Sequence, residues 1–194
     1  MVKYNLSMNI IKTSHSLKID GEEAVKFIES LISIDPVNEK YKTSFLLKPD
    51  GKIAHWFVIL REDSKLFIYQ SLEELTNIKK SLEFYKIRTD CSLEIVEDET
   101  KLNLKVEEDT FTFSKTDNHG NYTPWREMSI ILELPLPEII SEGLLPNETK
   151  WLDVTVDFNK GCFLGQEQAS RVKFRGRPRR QLKSIDGSQQ FIRI

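Results

Sequence analysis

Two strand-like runs joined by Lys48-Pro49-Asp50-Gly51 constrain this chain more than any other stretch. Proline presets φ and glycine supplies the left-handed position, so Thr43 to Leu47 and Lys52 to Leu60 are expected to close into a β-hairpin. A sheet with an apolar face must bury it against another layer, and the flanking sequence supplies amphipathic helices. Before the hairpin, Tyr4 to Lys12 and Leu17 to Ile19 read as strands. Asp20-Gly21-Glu22-Glu23 then has the form of a helix start, a capping side chain with a glutamate three residues on. Ala24, Phe27, Ile28, Leu31 and Ile32 follow at helical spacing, toward a stop at Asp35-Pro36. After the hairpin, Lys65 to Gln70 reads as a strand. Ser71-Leu72-Glu73-Glu74 repeats the capping pattern ahead of the stripe Leu72, Leu75, Ile78 and Leu82.

Residues 1–90 therefore read as one α+β unit, and 91–194 as a second. Ser92 to Val96, Leu102 to Val106 and Thr110 to Ser114 are strand-like runs split by acidic connections, the pattern of an antiparallel meander. Asp117 to Asn121 is a loop by composition. Met128 to Leu134 is expected to be a buried strand, and Glu138 to Ser141 a short helix behind Pro137. Val154 and Val156 alternate with Thr155 and Asp157 in a strand that delivers the chain to Lys160.

At 194 residues the chain can bury a sizeable core. A formal net charge of −2 gives no global push toward nucleic acid or an anionic membrane. The longest apolar run, Trp56 to Leu60, is far too short to cross a bilayer. Met1 to Ser16 lacks the apolar centre of a secretory signal, so the cytoplasm is the expected location. Cys91 and Cys162 stand in no metal-ligand spacing, which argues against a disulfide framework and against a complete protein-held zinc or iron–sulfur site.

The densest chemistry lies in Lys160-Gly161-Cys162-Phe163-Leu164-Gly165-Gln166-Glu167, one cysteine between two glycines with a cation before it and a carboxylate after. If Gly165 opens a helix, the thiol stands just ahead of a helix N-terminus, where the dipole and free amides favour an anion. On that reading Cys162 forms a thiolate below a free thiol's pKa of about 8.5, with Lys160 adding positive charge. The other reading is a small buried cysteine. Downstream, Arg171, Lys173, Arg175, Arg177, Arg179, Arg180 and Lys183 put seven cations in thirteen residues with no acid among them.

This stretch resembles the K-G-C-[FY]-x-G-Q-E signature of the YgfZ-type folate-binding proteins, relatives of the glycine-cleavage aminomethyltransferase (GcvT). Arg171-Val172-Lys173-Phe174-Arg175-Gly176 fits the R-x-K-F-R-G that follows it. Leu17 to Gly21 is similar to the family's opening, Pro49 to Ile53 to its early hairpin, and Leu144 to Glu148 to its approach to the signature. The resemblance covers most of residues 17–182. It implies a GcvT/YgfZ-like α+β fold, here without the family's C-terminal β-barrel. It also implies a tetrahydrofolate cofactor in a cleft between the two units, no permanently bound metal, and iron–sulfur proteins or their assembly factors as partners. The implied role is support of the assembly or repair of iron–sulfur proteins, with Cys162 as the reactive residue.

A pterin presents adjacent donors and acceptors that Gln166 and Glu167 can match; alternatively, Glu167 only complements the helix dipole. Arg171 and Arg175 are expected near the ligand, joined by Lys160, Gly161 and Glu133, while the later cations are solvated. The competing readings of 171–183 are an RNA- or protein-binding module and a charged strand edge, with nucleic acid the less favoured partner. Folate-dependent aminomethyl transfer or demethylation is a further alternative. Against it, the stretch resembling the transferases' G-G-x-x-D-D context is Gly51-Lys52-Ile53-Ala54-His55-Trp56, without a carboxylate. Ser129 and Leu134 likewise stand where the R-I-x-x-G strand has arginine and glycine. His55 is then either a substitute proton acceptor or a packed side chain beside Trp56.

Overall fold

The computed structural model describes residues 9–194; the first part of the strand expected from Tyr4, residues 4–8, lies outside the described residues. In chain order the first elements are β1 (Asn9–Lys12), β2 (His15–Asp20), α1 (Ala24–Glu29), β3 (Tyr41–Leu47), β4 (Ile53–Glu62), β5 (Lys65–Tyr69) and α2 (Leu72–Tyr85). The expected hairpin is β3–β4: Gly51 donates to the Lys48 carbonyl at 2.8 Å and carries φ of +79°. Ser71 caps α2 by accepting from the Glu74 amide at 3.3 Å. The other expected cap does not form. Asp20 lies in β2 and pairs with Lys18, and α1 starts without a side-chain cap.

The remaining elements are β6 (Ser92–Glu97), β7 (Lys101–Val106), β8 (Phe111–Lys115), α3 (Trp125–Leu132), α4 (Pro137–Ser141), α5 (Leu152–Thr155), α6 (Gln166–Arg175), β9 (Arg180–Ile185) and β10 (Ser188–Arg193). Three expectations are corrected here. First, β6 does not join a meander. It pairs antiparallel with β2 in a five-stranded sheet of order β3-β4-β5-β2-β6, while β7 pairs with β1 in a sheet of order β1-β7-β8. Both chain passages between the sheets are tied at one point. Thr13 donates its amide to the Thr100 carbonyl at 2.8 Å, and its hydroxyl accepts from the Thr100 amide at 3.0 Å. Side-chain alternation cannot reveal such a crossover.

Second, Met128 to Leu134 is not a strand: Met128 to Leu132 belongs to α3, whose buried residues Trp125, Met128, Ser129 and Leu132 follow i, i+3, i+4, i+7, and Glu133 ends the helix. Third, Val154–Val156 belongs to the single turn α5 and its exit. The Thr155 hydroxyl bonds back to the Trp151 carbonyl at 2.7 Å, so local helical geometry wins over an alternation only four residues long.

The β3–β5 part of the five-stranded sheet is buried on both faces, which sets the α+β architecture. Leu17, Ile19, Phe57, Ile59, Leu66 and Ile68 face α1 and α2. Phe45, Trp56, Val58 and Leu60 face the opposite way, onto β7–β8, α3 and the segment around Trp151 and Phe163. Each such side chain, fully buried, stabilises by about 1.5–3 kcal/mol. Among the described residues there is no closed barrel: β9 and β10 form a separate two-stranded ribbon. No helix among them is long and apolar enough to cross a membrane.

Candidate functional site

The Lys160–Glu167 loop is clamped between α1 and the β3–β4 turn. The Lys160 ammonium, its side chain 1% exposed, donates to the carbonyls of Glu29 at 2.7 Å and Ile32 at 2.9 Å. Asp35 lies 3.3 Å away and the Phe163 ring 5.2 Å below. Burial holds the Lys160 pKa below its ordinary value, opposed by the Asp35 charge. The ammonium thus complements the carbonyl end of α1 and is occupied by it. Leu164 adds a backbone bond to the Ser30 carbonyl at 3.1 Å.

On the other side, two glycines fit α6 against the hairpin. Gly165 opens α6 with φ of +75°, and a Cβ there would lie 2.5 Å from the Lys48 carbonyl oxygen. Reciprocally, a Cβ on Gly51 would lie 2.7 Å from Cβ of Gln168. Gly161 differs: a Cβ there would meet nothing within 4 Å. Phe163 is buried as the loop's apolar anchor, while Cys162 remains exposed. That excludes the buried reading of Cys162; the buried thiol is Cys91, whose pKa burial pushes up.

The other expected ligand residues have protein partners. Gln166 accepts from the Phe163 amide through Oε1 at 3.3 Å. Glu167, 83% exposed, accepts from Arg171 one turn on at 3.0 Å, a solvated pair of the kind expected of a helix surface. Glu133 caps α3 in a left-handed conformation and holds β9, accepting from the Ser184 amide at 3.1 Å and pairing with Lys183 at 3.2 Å. The Arg175 side chain lies outside the described residues. The later cations are less solvated than expected: Arg180 grips the buried Glu148 at 2.7 and 3.3 Å, donates to the Gly143 carbonyl and stacks 3.7 Å over Phe191. Lys173 pairs with Asp153 at 2.6 Å. Four of the seven cations thus face carboxylates: Arg171, Lys173, Arg180 and Lys183.

Sequence reasoning missed the partners of His55. Glu74 and Ser81, seven apart on α2, turn one helix face toward β4. His55 stands between them, Nδ1 3.3 Å from Glu74 Oε2 and Nε2 2.9 Å from Ser81 Oγ. The histidine bond is the main cause holding the Glu74 carboxyl below its ordinary pKa, against burial. A carboxylate only accepts, so Nδ1 carries a proton toward Glu74, and Nε2 shares a hydrogen bond with the Ser81 hydroxyl. The i, i+7 spacing was legible, but only the register of β4 shows that a histidine meets it.

Two clefts lie near these elements. One, of about 490 Å³, has His55, Ser81 and Ala54 at its base, Phe84 and Tyr85 as an aromatic wall, and Lys48 and Lys80 as its charged residues. Its Leu47–Lys48 wall is the same turn that Gly165 packs against. The second, of about 580 Å³, is lined by Tyr41, Phe111, Asp157, Phe158, Lys173 and Phe174 among others. Neither includes Cys162 in its lining. Among the described residues, no group of three or more His, Cys, Asp or Glu is arranged to hold a metal ion.

No protein-family model matches the chain. An iron–sulfur cluster assembly factor IBA57 homolog, mitochondrial, from Pyricularia oryzae is 24% identical over 220 aligned residues, covering 89% of this chain and 55% of that protein. Two proteins named tRNA-modifying protein YgfZ match shorter stretches. That of Klebsiella pneumoniae is 31% identical over 38% of this chain and 23% of its own length. That of Blochmanniella pennsylvanica is 29% identical over 34% and 21%. This chain thus spans about half of the first relative and less of the others. Among solved structures, the glycine cleavage system aminomethyltransferase T from Bartonella henselae superposes with a TM-score of 0.44 at 13% identity, over 68% of this chain and 33% of that one. By sequence, the chain is a homologue of the IBA57 and YgfZ proteins, the group to which its Lys160–Glu167 motif points.

Proposed function

We propose that the chain binds a reduced folate and supports the assembly or repair of iron–sulfur proteins in the cytoplasm, with Cys162 as its reactive residue. The match to the iron–sulfur assembly factor along 89% of the chain carries this reading. The loop geometry supports it: Lys160, Phe163 and Gly165 fix the loop's backbone while leaving Cys162 exposed. A rigid support with one accessible sulfur is what a reactive thiol needs.

The folate fits the His55 cleft best. Its planar ring finds Phe84 and Tyr85, its polar edge the His55–Ser81 pair, and its glutamate carboxylates Lys48 and Lys80, with no carboxylate in the lining to repel them. Lys160, Gly161, Gln166 and Glu167 then act one step back. Lys160 and Gln166 hold the loop that carries the thiol, and Gly165 packs that loop against the Lys48–Gly51 turn, while Arg171, Arg175 and Glu133 are the candidates for contact with the client. The names of two relatives also raise tRNA. The carboxylate partners of Arg171, Lys173, Arg180 and Lys183 make segment 171–183 a weaker polyanion surface than its composition suggests.

The test is a cell in which this chain is the only copy of its kind, carrying Cys162→Ser. Iron–sulfur enzyme activities should fall to the level of the deletion while the protein accumulates normally. Full activity in that strain would remove Cys162 from the mechanism.

A further inference from the structure

The second cleft has the opposite character to the first. At about 580 Å³ it lies within the size range of ligand sites, yet three carboxylates line it, from Asp109, Asp153 and Asp157, against the amines of Lys42 and Lys173. Its walls are aromatic. Phe158 and Phe174 meet edge to face at 5.9 Å, and Phe174 is 71% exposed, an unusual position for so large an apolar side chain.

One cation already sits there. The Lys173 ammonium lies 4.3 Å over the Phe158 ring, 5.8 Å from that of Phe174, and 2.6 Å from Asp153. The site therefore has cation-binding chemistry, with a residue of the chain itself in place.

Two sheet edges border the same space. β3 is the last strand of the five-stranded sheet and β8 the last of the three-stranded one. Both line the cleft, through Tyr41 to Thr43 and Phe111 to Phe113. An unpaired edge offers backbone donors and acceptors to an extended chain, while pockets beside it take alternate side chains.

We propose that this cleft binds an extended, arginine-bearing segment of a partner polypeptide, laid along the β8 edge with a guanidinium entering between Phe158, Phe174 and the Asp109–Asp157 carboxylates. Arginine suits the site because its planar head stacks on aromatic faces and pairs with carboxylates through a fork of donors. Lys173 competes for the same place. The inference is independent of the folate reading, since the two clefts share no lining residue.

The test is fluorescence anisotropy on the whole chain, using a fluorescein-labelled extended peptide with arginine at every second position, and a control with glutamate in those places. The arginine peptide should bind saturably and the control should not. Asp109→Asn with Asp157→Asn should weaken binding about tenfold, the equivalent of one charged contact. Lys173→Ala should tighten binding several-fold by vacating the rings and Asp153, and a lost fold cannot imitate a gain. Equal affinity in wild type, the double asparagine variant and Lys173→Ala would overturn the proposal, as would equal binding of the two peptides or none of either.

Discussion

Replacing Gly165 with alanine should unfold the protein far more easily than the same change at Gly161, four residues earlier in the same motif. At Gly165 the backbone sits at φ of +75°, where a side chain costs about 1–2 kcal/mol. The new Cβ would also lie 2.5 Å from the Lys48 carbonyl oxygen and 3.0 Å from Cβ of Leu47. Backbone cannot give way as a flexible side chain does, so overpacking adds about 1–3 kcal/mol. The two together come to about 2–5 kcal/mol, a large part of the about 5–15 kcal/mol that holds a typical domain folded. At Gly161 neither effect operates, because φ is not left-handed and nothing stands within 4 Å. Alanine there should leave stability within about 1 kcal/mol, on the stabilising side if anything, because it restricts the unfolded chain. Urea unfolding followed by tryptophan fluorescence separates the cases. Wild type and Gly161→Ala should share a midpoint, and Gly165→Ala should melt well below them. Coincident midpoints for the two variants would refute the account of how the motif is held.

Three further outcomes follow from the ion pairs. Glu148→Gln leaves Arg180 half-buried with its charge unmet, so it should destabilise by about 3 kcal/mol in the same urea assay, although the residue lies far from the thiol in sequence. Glu167→Ala breaks only an exposed i, i+4 pair and should change stability by about 0.5 kcal/mol or less; a loss of iron–sulfur support in that variant would then mark Glu167 as a contact residue. For Glu74, the folded carboxyl titrates below its ordinary value of 4.5, so its contribution is present above that pH and lost as pH falls through the lowered folded value. Urea midpoints from about pH 6 to about pH 3 should therefore fall less steeply in Glu74→Gln than in wild type, and identical slopes would show that the His55 contact does not hold the charge.

The parts of the fold legible in sequence were those set by neighbours. Pro49 and Gly51 announced the β3–β4 turn, Ser71 the start of α2, and Gly165 the start of α6. What failed depended on distant partners. Nothing near Ser92 says that β6 returns to β2, because its partners, His15 to Asp20, lie far back in the chain. For α3 the signal was present but begins at Trp125, outside the run of Met128 to Leu134 that resembles a strand. The site shows the same division. The Lys160–Glu167 motif stood out by its residue types, but a lysine beside a cysteine reads as thiolate support until the fold places its ammonium on α1. A run of cations reads as a solvated patch until Glu148 and Glu133 are found across from it.

Tetrahydrofolate binding tests the central claim most directly, by thermal unfolding of the wild-type chain and of His55→Ala across a titration of the ligand. At a hundred times its dissociation constant, the folate should stabilise the wild type by about 2.7 kcal/mol, and His55→Ala should need a higher concentration for the same shift. No shift in the wild type at any soluble concentration would contradict a folate site in this chain, and an equal shift in both proteins would place it away from the His55 cleft.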